Sequence, residues 1–308
     1  MFDIAIILIN YNSSQHSINC IQSIVEKTSK NINYQIIAVD NCSQEEDYLK
    51  LEQFCNATNL QNLHLYRNSI NSGFGAGNMF GVQFSSAKYL AFINNDTLFK
   101  NDCLSIIKHE FETNDYIGIA GAQAFDENDN FMVSLDHFAS PAREILGRGF
   151  LESLNKKEYP KRKKRYINPV KVDFVPGSFM FVRSEDFFEI GGFDTNIFLY
   201  YEETDLCKRL KKISKDAYLI PKAEFIHFHG ASTEKSPAIK KELKISLLYI
   251  IRKHYGYFGY KSVQMFLTIK YFFSSILKPK NWSLFFLVLS GAPISRSLKL
   301  KQKIRKIQ

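Results

Sequence analysis

The chain has 308 residues, 45% of them hydrophobic, only eight prolines and a formal net charge of +9, which argues for an ordered globular chain with ample core and against disorder. That length suits one large domain or one and a half. Its five cysteines (Cys20, Cys42, Cys55, Cys103, Cys207) are scattered, odd in number and form no CxxC pair, which argues against a disulfide framework and a zinc site and for a reducing compartment.

Met1-Phe2-Asp3 leads straight into an apolar run without a basic leader, so no signal peptide and a cytosolic location are expected. That run, Ile4 to Ile9, has strand length and ends at Asn10-Tyr11-Asn12. A helix face follows at Ile18, Ile21, Ile24 and Val25. Tyr34 to Val39 reads as a strand ending at Asp40-Asn41, Glu45 to Asn56 as a helix, and Leu63 to Tyr66 as a short strand ending at Arg67-Asn68. The glycine-rich stretch 73–78 leads toward another helix, and Tyr89 to Ile93 is a strand running into Asn94-Asn95-Asp96. Strand and crossover repeated in this way predict an α/β fold with a largely parallel central sheet flanked by helices. Tyr11, Asp40, Asn68 and Asp96 then gather past the carboxyl ends of the strands, the edge where open α/β sheets bind ligands.

Ile117 to Phe125 reads as a further strand, and the polar, basic stretch from Asp126 to Val170 either is functional or contains helices that its pattern does not place. Val172 to Val182 is ordered but broken by Pro176-Gly177. Gly191-Gly192-Phe193-Asp194 turns the chain before the aromatic run Phe198-Leu199-Tyr200-Tyr201, and Ala217 to Ile220 and Phe225 to Phe228 read as the last two strands. Beyond Lys240, Leu243, Leu247, Ile250 and Ile251 mark one helix face and Phe266, Ile269, Phe272 and Phe273 another. Trp282 to Leu289 is strongly apolar but much shorter than the roughly 20 residues of a spanning helix. Positive charge clusters at Lys161-Arg162-Lys163-Lys164-Arg165, preceded by Lys156 and Lys157, and in the tail from Arg296 to Lys306. Such clusters suit nucleic acid, anionic lipid or a polyanionic substrate, or are simply solvated. Basic tail and aromatic helices together favour an anionic membrane surface over simple packing onto the core.

Three groups of residues carry chemistry. Asp96 at a strand tip suits a hard cation holding a diphosphate, although Asn94-Asn95-Asp96-Thr97 is also a good turn and cap. Glu202, Glu203 and Asp205 open a helix with Leu206, Leu210 and Ile213 on one face, so they serve either as a general base or as ordinary complements to the helix dipole. Neighbours on a helix point roughly 100° apart, so Glu202 and Glu203 cannot share one task. His227 and His229 alternate to one face of a strand before Gly230-Ala231-Ser232-Thr233, where they serve a phosphate or metal or else only the core. Gly73-Phe74-Gly75-Ala76-Gly77 has GxGxG spacing, which is not a dinucleotide fingerprint and implies instead a close backbone approach at a helix start.

In order and spacing, Ile9-Asn10-Tyr11-Asn12, Val39-Asp40-Asn41-Cys42-Ser43, the segment 68–78, Phe92-Ile93-Asn94-Asn95-Asp96, Pro176-Gly177-Ser178, Gly191-Gly192-Phe193-Asp194, the Glu202 to Leu206 run and His227 with Gly230-Ala231-Ser232 resemble the family 2 glycosyltransferases of GT-A fold. The likeness is strongest to their bacterial rhamnosyltransferase-like branch and covers roughly residues 3 to 235. It implies a catalytic domain over 1–235 and a C-terminal helical region over 236–308. By position it implies that Tyr11 packs on the nucleotide base, that Asp40 binds the base's imide edge, and that Asn68, Asn71, Gly73, Asn95 and Asp96 line the nucleotide-sugar site. Asp96 and His227 would meet a divalent metal, Mg²⁺ or Mn²⁺, and Glu203 would be the catalytic base, with Asp205 its rival or orienting partner. Two departures stand out: the DXD-type motif is reduced to Asn94-Asn95-Asp96, and the usual Glu-Asp pair is Glu202-Glu203.

The implied reaction is inverting transfer of a sugar, rhamnose by family likeness alone, from a UDP- or dTDP-sugar to a glycan or polyprenyl-diphosphate-linked acceptor in O-antigen, capsule or other surface polysaccharide synthesis. It would take place at the inner face of the cell membrane, with no nucleic-acid partner. A nucleotidyltransferase is the nearest rival, but it would want a glycine- and basic-rich loop after the first strand, where Asn10-Tyr11-Asn12-Ser13 stands. A basic nucleic-acid-binding protein leaves the ordered carboxylates unexplained, and an inactive scaffold of the same fold is the third alternative.

Overall fold

The computed structural model describes residues 1–228 and 236–305. Strand β1 (Phe2–Asn10) is buried on both faces: Ile4, Ile6 and Leu8 join the core beneath helix α1 (Ser14–Lys27), while Ala5 and Ile7 join the core beneath helix α3 (Gly73–Val82). That double burial is why its sequence reads as continuous apolar residues rather than alternation. Strands β2 (Tyr34–Asp40), β3 (Leu63–Arg67) and β4 (Ala87–Asn94) pair in parallel with it in the order β3-β2-β1-β4, with α2 (Glu45–Ala57) as the remaining crossover.

Beyond β4 the sheet is mixed. Strand β5 (Thr97–Phe99) and helix α4 (Cys103–Thr113) lead to β6 (Ile117–Phe125), helices α5 (Pro141–Leu146) and α6 (Arg148–Leu154), and strand β7 (Val170–Val172). Strand β8 (Phe179–Arg183) inserts antiparallel between β4 and β6, followed in the chain by α7 (Ser184–Glu189), α8 (Glu202–Lys212) and β9 (Asp216–His227). The sheet order continues β4-β8-β6-β9-β5, with β7 also on β9. Because β8 runs against β4, its amino end and Gly177-Ser178 lie at the carboxyl edge of the parallel strands.

Three local expectations are corrected or filled in. The last two predicted strands, Ala217–220 and Phe225–228, are one strand, β9, whose register against β6 shifts between Ala122 and Gln123. Pro221 sits at that irregularity, where a missing N–H is tolerated, and in sequence it reads as a break. Helix α3 starts at Gly73 itself rather than after the glycines. Gly73 has φ +83°, and a β-carbon there would lie 2.1 Å from the Phe198 carbonyl oxygen, so only glycine lets the two segments meet. The stretch 126–170 contains α5, capped by the Ser140 hydroxyl with Pro141 in its first turn, and α6. Asp136 holds that stretch together, with Arg143, Arg148 and Arg162 at 3.9, 2.8 and 2.8 Å.

The C-terminal helices are α9 (Pro237–Leu277), interrupted at Gly256 (φ 68°, ψ −166°), and α10 (Trp282–Leu289). Both expected helix faces thus lie on α9, one on each side of that break. A third core cluster joins Leu247, Leu248, Ile250, Ile251, Leu287 and Val288 to Ala139 and Ile197. Residues 236–305 are therefore packed onto the sheet-bearing part rather than tethered to it. Among the described residues, no helix is long and apolar enough to cross a membrane.

Candidate active site

Strand register sets the site. Asn10 pairs with Asp40, Asp40 with Arg67, and Ile9 with Asn94, so the polar ends of four neighbouring strands stand level on one edge. Asn10 is fully buried and donates to Asp40 Oδ1, Ser43 Oγ and Asp47 Oδ2 at 3.0, 3.1 and 2.8 Å. Asp40 is also fully buried, accepting from the Ser43 amide at 3.2 Å with Arg67 Nε at 3.6 Å. Burial raises its pKa, partly offset by Ser43, Asn10 and Arg67. Its carboxylate therefore braces the loop after β2 from below, while Tyr11 stands exposed beside it.

The glycine-rich turn is organised by Asn41, which the sequence does not single out. Its Oδ1 accepts from the Asn68 side chain at 3.3 Å and from Ser72 N and Oγ at 3.2 and 3.0 Å, and its Nδ2 donates to Asn71 Oδ1 and the Gly73 carbonyl, both at 3.1 Å. Asn68, Asn71 and Gly73 are thus brought together, and Asn41 is what holds them. Asn95 is buried and donates to Ser13 Oγ and Ser17 Oγ at 2.7 and 2.8 Å, fixing the β4 tip against the start of α1.

Asp96 follows, almost fully buried, with His227 Nε2 3.3 Å from its Oδ1. They meet because β5 pairs antiparallel with β9, setting Thr97 opposite His227, and because Phe228 N donates to the Asp96 carbonyl at 2.9 Å. The described residues contain no group of three or more His, Cys, Asp or Glu able to hold a metal. A carboxylate and an imidazole together suit a hard cation that takes the rest of its shell from phosphate and water. His229 and Gly230 to Thr233 lie outside the described residues.

The acidic turn opens α8 as expected, after two consecutive residues in the left-handed region, Tyr200 and Tyr201, both at φ 72°. Such a conformation costs non-glycine residues about 1–3 kcal/mol each and collects at functional sites. It is held by Phe74 N and Ser246 Oγ, which donate to the carbonyls of Phe198 and Leu199 at 3.0 and 2.8 Å. Glu202 turns inward, 3.5 Å from where a β-carbon on Gly75 would lie, and one of its oxygens has no hydrogen-bond partner among the described residues. Burial and the neighbouring Glu203 raise its pKa well above the usual carboxylate range. Glu203 is half-buried. Burial pushes its pKa up to about 7; Asp136 adds to the rise, while its own backbone amide and Arg143 oppose it.

Asp205 is different. It is fully buried, with His254 Nε2 and Lys253 Nζ each 2.8 Å from Oδ1 and Arg209 Nε donating to Oδ2 at 2.8 Å. Burial alone would raise its pKa, but His254, Arg209 and Lys253 outweigh it and hold the carboxyl well below the usual range. Its oxygens tie α8 to α9. Removing one partner of a buried ion pair typically costs about 3–5 kcal/mol. Asp205→Ala is expected to lower unfolding stability by that order in urea titration, and a loss under 1 kcal/mol would mean the cluster holds little.

A run of close approaches leads from the tip of β4 to Glu202 at the start of α8. Asn94 N donates to the Ser178 carbonyl at 3.0 Å, a β-carbon on Gly177 would sit 3.4 Å from the Phe74 ring, Phe74 bonds Phe198, and Gly75 faces Glu202. The tail reaches the same edge. Ser297 Oγ and Leu298 N donate to buried Glu242 at 2.7 and 2.8 Å. Further on, Arg305 N donates to the Ser69 carbonyl at 2.8 Å, and its guanidinium donates to the Ser43 carbonyl and Gln44 Oε1 at 2.5 and 3.0 Å. Part of the basic tail expected at a membrane is thus laid over the loops after β2 and β3.

The chain has known relatives. Residues 5–188 match the family model "Glycosyl transferase family 2". The chain is 30% identical over 246 residues to Rhamnosyltransferase WbbL of Escherichia coli K12, covering 74% of this chain and 88% of that protein. It is 33% identical over 88 residues to the N-acetylglucosaminyl-diphospho-decaprenol L-rhamnosyltransferase of Mycobacterium tuberculosis, covering 28% of this chain and 29% of that protein. Among solved structures, GalNAc-T7 with UDP, GalNAc and Mn²⁺ superposes with a TM-score of 0.61 at 13% identity, covering 94% of this chain and 56% of that one. The mannosyltransferase PcManGT of Pyrobaculum calidifontis, with GDP-Man and Mn²⁺, gives 0.58 at 12% identity, covering 95% and 88%. These structural likenesses support the expected GT-A fold, while the sequence matches go further: the chain belongs to glycosyl transferase family 2 and is a glycosyltransferase, similar to its rhamnosyltransferases.

Proposed function

We propose that the protein transfers a sugar, rhamnose in the first instance, from a UDP- or dTDP-sugar to a glycan on a lipid diphosphate, with inversion, in bacterial surface polysaccharide synthesis. The observation that carries this is Glu203: a half-buried carboxyl with its pKa pushed up to about 7, next to Glu202, whose side chain faces the glycine-rich turn at Gly75. A base with that pKa is half ionised near neutral pH and still basic enough to take a proton from an attacking hydroxyl. Burial raises the pKa of Glu202 well above the usual carboxylate range, and its side chain turns inward. The names of the relatives support rhamnose as donor sugar and a diphospho-lipid as acceptor.

Donor binding falls to the opposite side of the site. Tyr11 covers the base, with the loop braced by Asp40 beneath it. The turn held by Asn41 brings Asn68, Asn71 and Gly73 to the ribose and diphosphate, with Asn95 fixing the neighbouring strand tip. Asp96 and His227 would hold Mg²⁺ or Mn²⁺, which when bound neutralises charge on the departing diphosphate. Measuring release of nucleoside diphosphate from a panel of UDP-, dTDP- and GDP-sugars tests this reading. Turnover of dTDP-rhamnose or a UDP-sugar is expected, and none with any donor would overturn it.

Catalysis is assigned to residues 1–235 and membrane docking to 236–308. On α9 and α10, Phe272, Phe273, Trp282, Phe285 and Phe286 form one aromatic cluster, and Phe273, Ile276 and Leu277 are exposed. Lys240, Lys278 and Lys280 line a recess at the ends of α9. Exposed aromatics beside lysines suit the inner, anionic face of the cell membrane. Deleting α9 would also remove Lys253 and His254 from Asp205, so substitution is the cleaner test. Phe273→Glu with Leu277→Glu is expected to abolish sedimentation with phosphatidylglycerol vesicles, whereas unchanged sedimentation would place the contact elsewhere.

A further inference from the structure

A second concavity, of about 600 Å³, opens beside α8. Its wall combines Phe138, Leu151, Tyr159 and Tyr255 with Lys208, Lys211 and Lys212. Lys208 Nζ lies 3.5 Å above the Tyr255 ring, and Lys211 is 3.8 Å from Asp173. Burial depresses the Lys208 pKa to about 8; Asp173 pulls against that fall, and Lys212 and Lys211 add to it. The exposed basic run from Lys156 to Arg165 begins beside Glu158 and Tyr159 of the same wall. Leu151 of that wall lies on α6, whose Phe150 and Leu154 are exposed, as are Leu146 on α5 and Phe258 just past the break in α9.

We propose that this cavity binds the diphosphate of a long-chain apolar alcohol, the lysines meeting the phosphates and the exposed apolar flank meeting the first part of the chain. The cavity and Glu203 share a helix: at 1.5 Å per residue, Lys208 and Lys211 lie about 7.5 and 12 Å further along the axis than the base. On this proposal the anomeric diphosphate of a sugar whose hydroxyl reaches Glu203 extends along α8 to these lysines. A positive, partly apolar cavity discriminates this ligand from a neutral glycan and from a bare anion alike. The inference rests on the lipid-diphosphate acceptor proposed above.

The test is calorimetric binding of farnesyl diphosphate, inorganic diphosphate and farnesol to the full chain, with saturating UDP present to fill the donor side. Farnesyl diphosphate is expected to bind, farnesol not, and inorganic diphosphate more than tenfold more weakly. Lys208→Gln with Lys212→Gln is expected to weaken farnesyl diphosphate more than tenfold, with Lys208→Gln alone as the milder variant and melting temperature as the check on folding. Undetectable binding to the native chain, equal binding of inorganic diphosphate, or unchanged affinity in both folded variants would overturn the assignment. Release of nucleoside diphosphate by the native chain, measured separately, distinguishes the two ideas. Donor turnover without farnesyl diphosphate binding sinks the cavity alone, and the converse sinks the transferase reading.

Discussion

Glu203→Gln is expected to lower kcat by about 10²- to 10⁴-fold, the range a positioned general base contributes, with donor affinity near that of the native enzyme. The amide keeps the shape and loses the proton-accepting charge. Native kcat/KM should fall on the acid side with an apparent pKa of about 7, a value belonging to the Glu202–Glu203 pair jointly. The same burial has a signature in stability. A carboxyl raised from 4.5 to about 7 in the fold contributes stability that is complete below the lower value and lost as pH rises through the upper one. Glu203→Gln should therefore melt at a higher temperature than the native chain at pH 8 and at nearly the same temperature at pH 4. Kinetics and melting curves together check this: a variant as fast as the native chain would place the base elsewhere, and one not stabilised at pH 8 would mean that burial does not raise the carboxyl's pKa.

Much of that site was legible in the sequence because parallel register is simple. Apolar runs of similar length, each ending in Asn, Asp or Arg, align their ends when paired, so Asn10, Asp40, Arg67 and Asn94 stand in one row. The different surroundings of Glu203 and Asp205 were not legible. Both belong to one acidic helix start, and what separates them is His254, Lys253 and Arg209 around Asp205, two of these nearly fifty residues further on. The docking of Arg305 on Ser43 spans 262 positions and leaves no local trace. Nor does a string of letters disclose that Tyr200 and Tyr201 adopt positive φ, since the aromatic run reads equally well as a buried strand. The break at Gly256 is legible only as a glycine between two apolar faces.

Asp96→Ala is expected to weaken donor binding by more than about tenfold, or 1.4 kcal/mol, in the presence of Mn²⁺. The size follows from the small number of donors. With the motif reduced to Asn94-Asn95-Asp96, Asp96 is its sole carboxylate, and Asn95 is already committed to Ser13 and Ser17. A substituted Ala leaves His227 as the remaining described residue of the pair, and one imidazole is a poor anchor for an oxygen-seeking cation. Calorimetry with the donor's nucleoside diphosphate, with Mn²⁺ and with chelator, separates the possibilities. The native chain should bind more tightly with Mn²⁺ than with chelator, and Asp96→Ala should bind equally in both. If the variant keeps its Mn²⁺-dependent gain, the cation is held by other groups. If the native chain shows no such gain, nucleotide binding does not depend on the cation and Asp96 has no metal to hold.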